Sequence, residues 1–219
     1  MLENGDIGKM QLLPASASHR IDLALRLCYA MAFGVFFFNA YQKYLVDHKH
    51  AIRLALFLFS RALSLIFLVF ARFPKCENRS LLISAVTFMS IFYYSFFSFD
   101  PGKTLLPDWI GFILQWSGFT LSLMTRAWLG RSFGLWPANR GVVTGGPYRL
   151  VRHPMYLGGL ISDMGYFGCE FSWYNLVLYL IWYMLLFWRV VEEEKVLRDD
   201  AEYRNYMERV RFRMVPFVF

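Results

Sequence analysis

Between Gly145 and Gly159 the chain reads GGPYRLVRHPMYLGG, with Arg149, Arg152 and His153 set between two prolines and four glycines. Long apolar stretches flank this run on both sides. Ionisable groups at the edge of a membrane are costly, and where they are kept they mark a site. Further along, Glu192–Glu193–Glu194 closes the stretch from behind with negative charge. Arginine and histidine can hold an anionic group, and carboxylates a cationic one, through charge-assisted hydrogen bonds. Pro147 and Pro154 fix backbone angles, while Gly145, Gly146, Gly158 and Gly159 permit close approach. A blander reading stands beside this one. A His-Pro pair is a common helix cap or turn, and a run of glutamates is often a solvated helix face. Three consecutive residues cannot share one helix face, so Glu192 is expected to be the solvated one.

The elements that must position these groups are apolar. Of the 219 residues, 57% are hydrophobic, 20% aromatic and 18% charged, against roughly 45–50% apolar in soluble domains. Runs near the length of about 20 residues that crosses a bilayer recur along the chain. The composition reads as a polytopic all-α membrane protein, not a nucleic-acid binder. The net charge of +7 comes from basic residues between and after the apolar runs, where they orient helices. Cys28, Cys76 and Cys169 are odd in number and lack metal-ligand spacing.

In chain order, residues 1–20 read as a flexible leader, and 21–128 as N-terminal transmembrane helices near 21–46, 51–73, 80–99 and 107–128. Arg53 and Arg61 fall inside the second of these. Arg53 can snorkel to the interface; Arg61 is deeper, and a carbonyl or carboxylate partner within the protein is expected for it. Residues 129–152 form a long irregular segment, of a length usually reserved for function. Two shorter apolar stretches, 155–169 and 173–188, read as a tight helical hairpin turning near Glu170. Arg189–Arg213 holds seven basic and seven acidic residues, with apolar positions at roughly helical spacing. It reads as an amphipathic helix, continuous with the last span or nearly so, and Pro216 stops it. The total is about five or six spans. The distribution of Lys and Arg favours a cytoplasmic 129–219 region, although Lys43, Lys49 and Arg53 argue the other way.

The run GPYRLVRHPMYLGG, followed by Glu192–Glu193–Glu194–Lys195–Val196–Leu197, Tyr203, Tyr206 and Pro216, resembles the isoprenylcysteine carboxyl methyltransferases and the related phospholipid N-methyltransferases of membranes. The resemblance implies that residues 129–219 are a catalytic, cofactor-binding region for S-adenosylmethionine. Carried over by position, the cofactor site comprises Tyr148, Arg152, His153, Pro154, Tyr156, Gly158, Glu193, Glu194 and Leu197. Arg152, His153 and Glu193 form its catalytic set. Arg131, Trp136, Asn139 and Arg140 are the expected substrate-side contacts. No strand followed by a GxGxG turn, the mark of soluble methyltransferases, is present. The implied acceptor is lipophilic, an isoprenylcysteine-like carboxylate, a lipid amine or a small thiol. The implied partners are that substrate and membrane lipids, in a multi-pass protein of the bacterial inner membrane or endoplasmic reticulum. A membrane reductase using NADPH shares a similar C-terminal pattern and is the first alternative; a non-catalytic transporter or scaffold is the second.

Overall fold

The computed structural model describes residues 15–46, 51–69, 89, 93–99, 102–130 and 142–218. They form six α-helices: α1 (Ala15–Val46), α2 (Ala51–Val69), α3 (Asp108–Leu129), α4 (Pro154–Cys169), α5 (Trp173–Leu197) and α6 (Ala201–Arg209). Two short 3₁₀ turns, Tyr93–Phe96 and Gly146–Arg149, complete the regular structure. Among the described residues there is no β-strand beyond an isolated bridge between Lys103 and Phe171. The all-helical reading therefore holds. The helix α5 is long and apolar enough, over Trp173–Lys195, to cross a membrane.

Element boundaries follow the punctuation in the sequence. Pro107 precedes α3 and Asp108 sits in its first turn, where a carboxylate complements the helix dipole. Pro154 occupies the first turn of α4. The chain breaks at 170–172, as expected. Three boundaries differ from expectation. The helix α1 starts at Ala15, inside the stretch read as a loose leader. Residues 93–99, the end of the third expected span, are a 3₁₀ turn followed by non-helical chain, and Met89 within that span is helical; its other residues lie outside the described ones. The expected 189–213 helix is divided: its first part continues α5 to Leu197, and a new helix starts at Ala201, capped by Asp200, whose side chain accepts from the Glu202 amide at 2.8 Å. That helix ends at Arg209, and residues 210–213 are non-helical.

The closest packing is between α3 and α4, which meet backbone to backbone. Gly111, Gln115, Gly118 and Ser122 on α3 face Gly158, Ser162, Gly165 and Cys169 on α4, and all eight are buried. Both sets are spaced four, three and four apart, a seven-residue repeat that keeps one face of each helix in the seam. A Cβ on Gly158 would lie 2.5 Å from Ser122 Oγ and 2.8 Å from the Gly118 carbonyl oxygen. One on Gly165 would lie 2.6 Å from the Gly111 carbonyl oxygen. Small residues that let backbones approach are the usual basis of helix pairing where lipid removes the hydrophobic drive. The tight pairing expected between α4 and the helix after it thus falls between α3 and α4, because the glycines of α4 match those of α3. Replacing Gly158 by alanine is expected to destabilise the protein by about 1–3 kcal/mol. Gly159→Ala meets nothing within 4 Å, and should leave thermal unfolding unchanged or raise it, since alanine favours a helix over glycine. Melting of both variants in detergent, followed by circular dichroism, checks the contrast.

The helices α4 and α5 touch through long side chains. Phe167 meets Tyr179 edge-on with ring centroids 5.5 Å apart, and the Tyr183 hydroxyl donates to Asp163 Oδ2 at 2.8 Å. Around them an aromatic core gathers Phe36, Phe57, Tyr93, Phe97, Tyr166 and Tyr179 from α1, α2, the first 3₁₀ turn, α4 and α5. Phe57 stacks on Tyr166 at 4.5 Å. Within this core Arg61 of α2 is ion-paired and hydrogen-bonded to Asp163 of α4, with its guanidinium 4.9 Å from the Phe57 ring centroid. The carboxylate partner expected for Arg61 is therefore Asp163; the Arg53 side chain lies outside what is described. At one end of α3 and α4, Lys103 and Phe171 exchange backbone hydrogen bonds of 2.8 and 2.9 Å. The motif-bearing residues gather at the other.

Candidate active site

That other end is built around Glu194, the last-but-three residue of α5, which is 1% exposed. Its Oε1 lies 3.3 Å from Arg152 Nη1 and 3.3 Å from His153 Nε2. Its Oε2 accepts from Arg213 Nε at 2.9 Å, with Arg198 Nη2 3.9 Å away. One buried carboxylate thus gathers three arginines and a histidine. Arg152 and His153 are themselves buried. They lie between the second 3₁₀ turn and α4, and the C-terminal segment clasps them there. The Arg152 amide donates to the Phe212 carbonyl at 2.9 Å and the His153 amide to the Arg213 carbonyl at 2.7 Å. Arg152 Nη2 also donates to the Arg211 carbonyl at 3.2 Å. His153 occupies the position just before α4 but makes no side-chain cap. Its ring lies nearly parallel to that of Tyr156, 5.9 Å between centroids. The bland reading of the His-Pro pair accounts for its backbone and not for its side chain.

Glu193 is placed differently from its neighbour. It is half-buried, and it makes no ion pair or hydrogen bond with any described residue. Its charge acts on Tyr148, Tyr156 and Tyr203. Burial, reinforced by Glu193, pushes the Tyr148 phenol above its ordinary value. Burial together with Glu194 and Glu193 does the same to Tyr203. Both therefore remain neutral hydroxyls at physiological pH. Glu192, expected to be the solvated member, is only 14% exposed at its side chain and accepts from Lys195 Nζ at 2.6 Å; the half-buried stem of α5 leaves it less room than a free helix face would.

Tyr148 is buried with Tyr203, Tyr206 and Val210, and Leu197 packs on the same cluster. The Tyr206 hydroxyl donates to the Tyr148 carbonyl at 2.6 Å, tying the second 3₁₀ turn to α6. Gly145 and Gly146 lie under the Trp128 indole: a Cβ on Gly146, whose φ is +56°, would come within 2.5 Å of the ring. Pro154 is fully buried at the start of α4. Of the expected cofactor residues, Tyr148, Arg152, His153, Pro154, Tyr156, Glu193 and Glu194 come together. Gly158 is taken up by the seam with α3, and Leu197 by the tyrosine cluster. Arg131, Trp136, Asn139 and Arg140 lie outside the described residues. Sequence reasoning missed Arg126 and Arg189, whose charges act on Tyr156 alongside Glu193, and Arg213. Arg126 and Arg189 each sit near the end of an apolar helix, and that position was their available signal. Arg213 was hidden by reading its segment as helix.

Tyr203 Oη and Arg152 Nε are among the buried polar atoms at this end that have no hydrogen-bond partner among the described residues. With Glu193 they leave a donor, a donor-acceptor and a carboxylate available in one neighbourhood. Buried polar groups without partners are rare enough to point to a ligand or water. Among the described residues no group of side chains could hold a metal ion.

Residues 106–200 match the model of the phospholipid methyltransferase family. No curated protein matches the chain. The family match starts just before α3, spans α4 and α5, and includes Arg152, His153, Glu193 and Glu194, the same residues that carry the motif resemblance. Residues 106–200, which carry Arg152, His153, Glu193 and Glu194 of the charged cluster, are thus similar to the phospholipid methyltransferase family.

Proposed function

We propose that the protein is an integral membrane methyltransferase that uses S-adenosylmethionine to methylate a lipophilic acceptor, with α4 and α5 both embedded in the bilayer. One observation carries this reading: the family match and the cluster of Arg152, His153, Glu193, Tyr148 and Tyr156 fall on the same end of the same helices. The donor set suits the cofactor, which is a sulfonium bearing an amino group and a carboxylate. The orphaned Arg152 Nε and Tyr203 hydroxyl and the unpaired Glu193 supply the hydrogen bonds such a ligand needs. When bound, the cofactor supplies an electrophilic methyl group.

The chain's own residues supply binding, alignment and exclusion of water. Glu193 offers its carboxylate to the amino group or the sulfonium. Arg152, held by Glu194, presents the rest of its guanidinium to the carboxylate. Tyr148 and Tyr156 give aromatic faces that attract a cation. Direct displacement at carbon needs alignment and desolvation more than a strong acid or base. His153 serves this by holding its geometry against Glu194 and Tyr156. The acceptor reaches the site from the lipid side, and Arg131, Trp136, Asn139 and Arg140 remain the residues proposed to contact it.

Calorimetry on purified protein tests the reading. Glu193→Gln removes a charge without touching the Glu194 cluster. It is expected to weaken S-adenosylmethionine about 10- to 100-fold, the worth of a hydrogen bond to a charged group at about 1.5–3 kcal/mol, with an unchanged melting temperature. Failure of the folded wild-type protein to bind either S-adenosylmethionine or its demethylated product would remove the methyltransferase reading, and NADPH binding in its place would favour a reductase.

A further inference from the structure

The geometry points to Arg213, which lies beyond the matched 106–200 region, as a positioning residue for the proposed reaction, holding Glu194 and His153 in register with one another. The inference rests on the cofactor reading above only for its functional consequence; the geometry stands independently. Arg213 is unusual in gripping both halves of the cluster. Its side chain donates from Nε to Glu194 Oε2 at 2.9 Å, and its carbonyl accepts the His153 amide at 2.7 Å. The adjacent carbonyls of Phe212 and Arg211 hold Arg152 through its amide and its guanidinium. Glu194 comes from α5, while Arg152 and His153 come from the approach to α4. Residues 211–213 therefore bridge two elements that otherwise meet here only through side chains.

The division of labour on Glu194 explains why this contact matters. Oε1 faces Arg152 and His153, and Oε2 faces Arg213 and Arg198. Arg198 is half-exposed and 3.9 Å away, outside good hydrogen-bond length. Arg213 is thus the side chain that fixes the rotation of the carboxylate, and with it the direction in which Oε1 presents to His153 and Arg152. The groups facing His153 are Glu194 from α5, Tyr156 from α4, and Arg152 and Arg213 from the clasp. Without Arg213 the carboxylate is free to turn toward Arg198 and away from His153. Arg152 and His153 then lose their common anchor, and the face they offer a ligand loosens.

Two readouts decide this, one of which needs no cofactor. The first is the ¹⁵N signal of the His153 ring in histidine-labelled protein, assigned by His153→Gln. The second is the affinity for S-adenosylmethionine by calorimetry. Arg213→Gln is expected to move the ring signal toward that of Glu194→Gln and to weaken binding about 10-fold or more, as loss of a charge-assisted contact implies. Arg213→Lys, which keeps the charge but not the fixed fork, should fall between the wild type and Arg213→Gln in both. A folded Arg213→Gln protein with a wild-type ring signal and wild-type affinity overturns the inference. If Arg213→Gln does not fold, the lysine variant decides: intermediate values support positioning, and wild-type values in both overturn it. If the wild-type protein binds no S-adenosylmethionine, the proposed function falls, and the ring signal alone still reports whether Arg213 sets the Glu194–His153 geometry.

Discussion

Glu194→Gln is expected to lower stability by about 3 kcal/mol, the lower end of what breaking a buried ion pair costs. For a chain of this size that is a melting temperature lower by roughly 6–12 °C. The sign follows from what is left behind. Arg152 and His153 are 6% and 8% exposed at their side chains, so the loss of their anion strands them in a low-dielectric pocket. Arg213 and Arg198, at 26% and 50%, can turn to water, which keeps the cost from reaching the upper end of the range. Ligand binding should be lost together with stability. The comparison with Glu193→Gln, expected to lose binding alone, separates two adjacent carboxylates: one that holds the cluster together and one proposed to meet the cofactor. Thermal melting and calorimetry on the pair of variants test this. Equal loss of stability in both would show that the two residues are not divided in this way.

Asp163→Asn should carry a comparable or larger penalty, about 3–5 kcal/mol, because it leaves the Arg61 guanidinium, 12% exposed, without its counter-charge among the aromatic rings of the core. Arg61→Met is expected to cost less. A buried carboxyl can shed its charge by taking up a proton and still accept from Tyr183, whereas an arginine cannot give its proton up. The double replacement Arg61→Met/Asp163→Leu should recover most of the loss, since well-packed apolar pairs commonly match or exceed buried ion pairs. A double-mutant cycle read by thermal unfolding gives the coupling. A double variant as unstable as Asp163→Asn would show that the pair is held for more than charge balance.

How much of this was legible in the sequence varies with the kind of signal. Helix starts were clear at Pro107 and Pro154, whereas the cap at Asp200 was not read and Pro216 does not mark the end of a helix. The assembly of Arg152, His153 and the glutamates at one place was legible from the motif. What could not be read was the difference between Glu193 and Glu194, since both lie on one helix and only the positions of Arg152 and Arg213 distinguish them. The α3–α4 seam was present as a signal: glycines at 111 and 118 answer those at 158 and 165, seven apart in each helix. It was masked because apolar patterning in a membrane protein does not tell the core face from the lipid face. Arg213 was lost for a different reason. Charged and apolar residues alternate at 209–214, the period of an extended segment, but the helical spacing of Tyr203, Tyr206, Met207 and Val210 just before it carried the helix reading through.

The clasp between residues 152–153 and 211–213 spans about sixty positions of chain, and this fixes an order of assembly. While the protein is being made, α3 and α4 can dock through their glycine seam as soon as both have emerged. Arg152 and His153 then stand at the head of α4 with their amides unclaimed and the Arg152 charge unopposed. They acquire partners only after α5 has been threaded into place and the segment beyond α6 has folded back across them. Contacts so distant in sequence form late. A partly synthesised chain therefore holds its helices without holding the charged cluster, which is complete only once residues 211–213 have been added.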